Sequence, residues 1–266
     1  MPTPFYHLSI AVELLEQASL GGEVRAFLNS YPCEFLFGNT APDTQVISGQ
    51  GREETHFFSL PVRKNDRSPW QRLLSTYPIL ARTADLEPEQ AAFLTGYLCH
   101  LQADWLWVVD IFSPVFGFRS RWGSREQRLY LHNVLRAYLD RRIIESLGHG
   151  TGFCLTKVSP LHWLPFIQDG HLCAWRDFLS PQLEPGAAIQ TVEVFASRQG
   201  IDPAVFYQMI ESEEVMERDV FIHVPRQQME IYRRRVVDEN IRLIKSYLER
   251  QFHGTSNRFV VGARLL

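Results

Sequence analysis

The 266-residue sequence has little of what usually announces a function. Its four cysteines, Cys33, Cys99, Cys154 and Cys173, show no C-x-x-C spacing, so a zinc ribbon or redox pair is not indicated and reduced, buried thiols are expected. Basic residues are not in excess. With 27 Lys and Arg against 30 Asp and Glu, the formal net charge is -3, which argues against a polyanion-binding surface, and no stable nucleic-acid complex is expected. The cluster Arg233-Arg234-Arg235 is too short to change that and reads as a solvated helix face. The longest apolar stretch is broken by His100, Asp104 and Asp110 before it reaches the roughly 18 residues that span a bilayer, so no transmembrane segment is predicted. The start, Met-Pro-Thr-Pro-Phe-Tyr-His, lacks the basic residues and apolar run of a secretory leader, and the expected location is the cytoplasm. Strand-like alternation is nowhere sustained.

What remains is helical. The chain is 45% hydrophobic and 21% charged, enough to bury a sizeable core, and a single domain over 1–252 with a tail at 253–266 is expected. Apolar spacing predicts an all-α protein with helices at about 7–20, 22–30, 68–80, 88–113, 124–147, 159–180, 186–199, 203–213 and 213–252. Ser124-Arg-Glu-Gln127 resembles a capping box, while Ser159-Pro160 and Asp202-Pro203 put proline just inside a helix start. Pro225 should kink or break the last segment. Residues 35–69 have little helical period, and so long a connection in a compact domain tends to be functional.

The stretch Ala91–Phe112 is apolar almost all the way round, as a buried helix is. Within it, His100 and Asp104 stand four residues apart and therefore on one helix face. An ionised carboxylate buried without a partner costs several kcal/mol or more. A divalent metal satisfies both groups, because zinc accepts imidazole nitrogen and carboxylate oxygen in one shell. Cys99 points about 100° away from His100 on a helix and reads as packing.

Three further polar residues precede this pair: His7, Asp43 in Gly38-Asn-Thr-Ala-Pro-Asp43, and His56 in Thr55-His-Phe57. The order His, Asp, His, His-x-x-x-Asp, the Gly-Asn-x-Ala-Pro-Asp loop, the Thr-His-Phe triplet and the Tyr97-Leu-x-His-x-x-x-Asp104 helix resemble the zinc-dependent phospholipase C family. That family is related to the single-strand-specific zinc nucleases and to the catalytic domain of the glycosylphosphatidylinositol-cleaving phospholipase D. The resemblance covers about the first 110 residues and implies a compact multi-helix bundle in which zinc ions, bridged by an aspartate, support phosphodiester cleavage. Carried over, Asp43, His56, His100 and Asp104 would hold one Zn²⁺, and His7 with the shared Asp104 a second. A metal-activated hydroxide would attack phosphorus of a phospholipid or small phosphodiester, with Asp43 as ligand or catalytic base. A third family site has no full counterpart. Asp110 and His132 are further candidates for a metal, but Arg136 stands where a ligand would be needed and would repel a cation. Arg136 suggests phosphate binding instead, since a guanidinium forks onto phosphate oxygens.

Taken singly, each residue has an ordinary explanation. His7 fits a backbone-bonded imidazole, Asp43 a Pro-Asp turn and His56 a core histidine. It is their family order that favours ligation. Trp105 and Trp107 read as packing more than as site walls, whereas Tyr6 and Phe57, beside ligand candidates, are expected to wall the pocket. The remaining histidines, His149, His162, His171, His223 and His253, read as loop, surface or helix-end residues. Two rivals stand beside the enzyme: a helical zinc-stabilised binding protein without catalysis, and a metal-free interaction protein.

Overall fold

A computed structural model describes residues 1–62, 66–148, 150–184 and 186–255. Among these residues the architecture is all-α, without strands. The helices are α1 (Pro4–Glu16), α2 (Gly22–Ser30), α3 (Pro32–Gly38), α4 (Gln45–Ser48), α5 (Arg52–His56), α6 (Pro69–Thr76) and α7 (Pro88–Trp107), followed by α8 (Arg125–Ile143), α9 (Thr151–Thr156), α10 (Asp169–Leu179), α11 (Thr191–Gln199), α12 (Pro203–Glu211), α13 (Glu213–Met216) and α14 (Arg226–Thr255). No helix among the described residues is long and apolar enough to cross a membrane.

The continuously apolar α7 is the central element, and nearly every residue from Ala91 to Asp104 is buried. It is flanked by α3 and α14. The α3 crossing demands glycine on both helices. A Cβ on Gly38 would lie 2.0 Å from the Phe93 carbonyl oxygen, and one on Gly96 would lie 2.1 Å from that of Phe35. Backbone meets backbone there. From the α14 side, the Tyr232 hydroxyl donates to the Ala103 carbonyl at 3.0 Å.

Local capping chemistry follows the sequence in several places. The Ser124 hydroxyl accepts from the Gln127 amide at 3.1 Å, and the Asp202 carboxylate accepts from the Ala204 amide at 2.9 Å. Pro225 immediately precedes α14, so the last segment is broken there as expected. Elsewhere tertiary packing overrides the pattern. The first helix starts at Pro4, three residues before the predicted start, because Thr3 caps it by accepting from the Tyr6 amide at 3.2 Å. Residues 35–69, which lack a helical period, nonetheless contain α4, α5 and a 3-10 turn at Ala41–Thr44. Such pieces are too short to display a period and are stable only against the rest of the fold. The helix predicted from 159 begins only at Asp169; Pro160 and Pro165 interrupt the backbone, and His162 adopts a left-handed φ of 54°. The helix predicted to run to 113 widens into a π-type turn over Val108–Phe116, with Pro114 inside it.

The thiols also depart from expectation. Cys33 on α3 and Cys154 on α9 form a disulfide across 121 residues of sequence. No spacing rule anticipates a pair that only packing brings together. Cys99 remains a free, buried thiol, as its helix position implied.

Replacing Gly96 with Ala should force α3 away from α7 and lower unfolding stability by about 3 kcal/mol, read by urea denaturation. Because Asn39, which contacts His100, sits just past α3, zinc affinity should fall in the same variant.

Candidate metal centre

Four segments meet over the middle of α7. His7 comes from the first turns of α1, Asp43 from the 3-10 turn at Ala41–Thr44, and His56 from the end of α5, which stops because Phe57 takes a left-handed φ of 59°. His100 and Asp104 come from α7, one turn apart. All five are brought together, and all but half-buried Asp43 are buried.

The two oxygens of Asp104 face different partners. Oδ1 lies 3.3 Å from His7 Nε2, while Oδ2 lies 3.5 Å from His56 Nε2 and 3.9 Å from His100 Nε2. Asp43 Oδ1 is 3.4 Å from His56 Nε2. The His7 and His100 rings stack at 3.7 Å. Ligand atoms of His7, His100 and Asp104 lie within 4.8 Å of one another, as do those of Asp43, His56 and His100.

The outward nitrogens explain the orientation. His100 Nδ1 is 2.8 Å from the Asn39 carbonyl, so that nitrogen carries the hydrogen and Nε2 turns a bare lone pair inward. His56 Nδ1 is held by the Thr55 hydroxyl at 2.9 Å. Inward, His100 Nε2 and His56 Nε2 stand only 3.4 Å apart, beside two carboxylates. Divalent zinc fits such a donor set, and few other groups would.

Burial and neighbouring charges set the protonation of the candidate ligands. Burial pushes His100 down to about 3, helped by neighbouring His7, and burial together with Arg52 lowers His56. These imidazoles are therefore neutral at pH 7. Burial alone would raise Asp104, but the His7 contact and the Arg52 charge outweigh it and hold the carboxylate well below its ordinary range. Asp43 is likewise lowered, its burial being outweighed by His56 and His100.

Arg52 escaped the sequence reading. Its guanidinium pairs with Asp104 Oδ2 and lies over the Phe58 ring at 4.6 Å. A signal for it existed, since Arg52 precedes His56 by four residues and so shares its helix face. The two further metal candidates stay outside. Asp110 lies six residues past Asp104, about 240° round a helix, and pairs with Arg235 at 2.6 Å. His132 is boxed by Phe112 and Phe116 and accepts from Trp107 Nε1 at 2.9 Å. Arg136, by contrast, lines the cavity of about 330 Å³ onto which Asp43 and Asp104 open.

The walls of that cavity correct another expectation. Tyr6 packs in the core against Trp107 and Tyr232, and Phe57 packs against Tyr77 and Phe166. Trp175, Phe178 and Phe195, from α10 and α11, wall the cavity instead. Trp107 is core, as expected, with its indole nitrogen satisfied by His132. Of the histidines left aside, His162 is exposed, His223 stacks on Trp122 at 3.6 Å, and His149 and the His253 side chain lie outside the described residues.

Beneath the cavity, Asp140 of α8 accepts from Thr3, the cap of α1, and from Thr191 of α11 at 2.6 Å. This ties the helix carrying His7 to the cavity wall. Burial pushes the Asp140 carboxyl up to about 7, against the opposing pull of Thr191, Thr3 and Arg136.

Fold and site together define a helical protein with a buried histidine and aspartate centre that could hold a divalent metal. Residues 3–107 match the model of the zinc dependent phospholipase C family, which bears out the resemblance for this part of the chain. The matched stretch ends with α7, so it includes all five converging residues and none of Asp110, His132 and Arg136. No curated protein and no solved structure matches the chain.

Asp104→Asn removes the charge facing both sides of the centre while keeping its volume. Zinc affinity should fall by more than the roughly 10–100-fold lost with an outer-shell partner, measured by elemental analysis and chelator competition. A pH test addresses Asp140. Its folded pKa of about 7 lies above the ordinary 3.8, so its contribution is greatest below about pH 4 and is lost as pH rises through 7. Asp140→Asn should therefore gain stability relative to wild type between pH 5 and 8, by at most roughly 4 kcal/mol in urea titrations.

Proposed function

We propose that the protein hydrolyses phosphodiesters using zinc held by His7, Asp43, His56, His100 and Asp104. The observation that carries this reading is the convergence of bare imidazole nitrogens and carboxylate oxygens beside an open cavity. The two-sided contacts of Asp104 favour two ions: one with Asp43, His56, His100 and Asp104, the other with His7 and the second Asp104 oxygen. When bound, zinc supplies Lewis-acid stabilisation of a phosphoryl group and lowers the pKa of water.

The chain's own residues do the rest. Asn39 and Thr55 fix the imidazole tautomers, and the buried walls exclude bulk water from the floor of the site. Asp43 is the one member with appreciable exposure, 20% of its side chain, and it lines the cavity where a water would be deprotonated. It therefore serves as ligand or as general base. A cavity opening onto Asp43 and Asp104 favours catalysis over a closed structural site, whose coordination would be saturated by side chains. The substrate class is a phospholipid or a smaller phosphodiester. The Cys33–Cys154 crosslink, of a kind that persists in oxidising compartments, favours such a compartment over the cytoplasm.

The test compares turnover of phosphatidylcholine vesicles, single-stranded DNA and bis-p-nitrophenyl phosphate, with zinc and after chelation. Zinc-dependent cleavage of vesicle lipid or of the small diester, without turnover of DNA, is the expected result. Absence of turnover on every substrate after zinc loading would remove the enzymatic reading.

A further inference from the structure

The cavity is basic beyond what its metal centre needs. Arg52 is taken by Asp104, but Arg136 on α8 and Arg198 in the last turn of α11 also line it. Among the described residues, no carboxylate lies in ion-pair range of either one. Arg136 is held in place by neutral groups. Its Nη1 donates to the Met1 carbonyl at 3.1 Å, its Nη2 donates to Asn133, and its guanidinium lies over the Phe195 ring at 4.2 Å. Its Nε is buried and makes no hydrogen bond. Burial, reinforced by Arg198, lowers Arg136 to about 10 despite the pull of Asp140, Asp104 and Asp43, which still leaves it charged at pH 7.

A half-buried cation without a carboxylate in ion-pair range is partly desolvated, and an anion entering the cavity would offset that cost. The phosphodiester's own charge is already claimed by the metal centre in the proposed function. A second anionic group is what Arg136 and Arg198 would meet. Among the described residues, the carboxylates lining the cavity are Asp43 and Asp104, and both belong to the metal centre. A quaternary ammonium headgroup would find no free acid among them, and the face of Phe195 is already covered by Arg136. At about 330 Å³ the space suits a headgroup and not a whole diacyl lipid.

We propose that this cavity selects phosphodiesters whose headgroup carries a second anionic group, such as a further phosphate, with Arg136 and Arg198 as the specificity-determining residues. The proposal rests on the phosphodiesterase reading above.

The test uses the zinc-loaded full chain and two soluble probes, glycerophosphocholine and glycerophosphoinositol 4-phosphate, with affinity read by calorimetry and turnover by product release. The phosphorylated inositol probe should bind about ten-fold or more tightly, as expected for a charge-assisted contact. Arg136→Gln should cut the ratio of the two affinities about ten-fold and Arg198→Gln about three-fold, with zinc content unchanged. Arg198 is exposed, so its variant keeps the test valid if Arg136→Gln fails to fold. Equal affinities in the wild type, or a preference that survives in the folded variants, would overturn the proposal. Equal turnover of both probes would do so too, while leaving the phosphodiesterase reading intact. An arginine-dependent preference in binding without turnover of either probe would uphold the anion selectivity, and the vesicle, DNA and diester assay above decides the phosphodiesterase reading.

Discussion

The close crossing of α3 and α7 is the constraint on which the rest depends. With Gly38 and Gly96 facing each other's helix, the two backbones approach nearer than any side chain would permit. The chain leaves α3 at Asn39 directly above His100, so a backbone carbonyl, the least adjustable of acceptors, sets the imidazole's tautomer. The turn that follows carries Asp43 over the same face of α7. One steric fact thus leads to ligand orientation through a few consecutive residues.

The centre built on that crossing is an arrangement of acceptors without enough donors. Neutral imidazoles and ionised carboxylates share a buried space, with Arg52 as the close cation. In a low-dielectric interior such a cluster is costly without cations, and Arg52 already supplies one; the arrangement could also hold a metal ion. The matched segment contains the five candidate ligands and part of the cavity lining, and α10 and α11 beyond it add further wall. Arg136 and Arg198, which have no carboxylate in ion-pair range among the described residues, belong with α8 and α11, so the proposed chemistry and the proposed substrate choice would rest on different helices.

Much of this was legible because it is local. The i, i+4 spacing of His100 and Asp104 on a uniformly apolar helix is enough to mark a buried polar pair. The caps at Ser124 and Asp202 and the break at Pro225 were likewise readable from short-range chemistry. The short helices between residues 35 and 69 were not, because pieces of four or five residues carry no period and are held by their neighbours. The Cys33–Cys154 bond, the burial of His132 behind Trp107 and the pairing of Asp110 with Arg235 join residues too distant in sequence for any pattern to relate them.

The amino-acid order by itself determined that the chain is helical, that one helix is buried all round, and which five side chains are candidates for a metal site, since helical period and residue chemistry act over a few positions. Tertiary structure alone decided that those five meet, that Arg52 completes them, that Asp110 and His132 stand apart, and that aromatic and arginine side chains from distant helices form the cavity. These are long-range juxtapositions, set by how closely backbones can pack and by which buried charges must find partners.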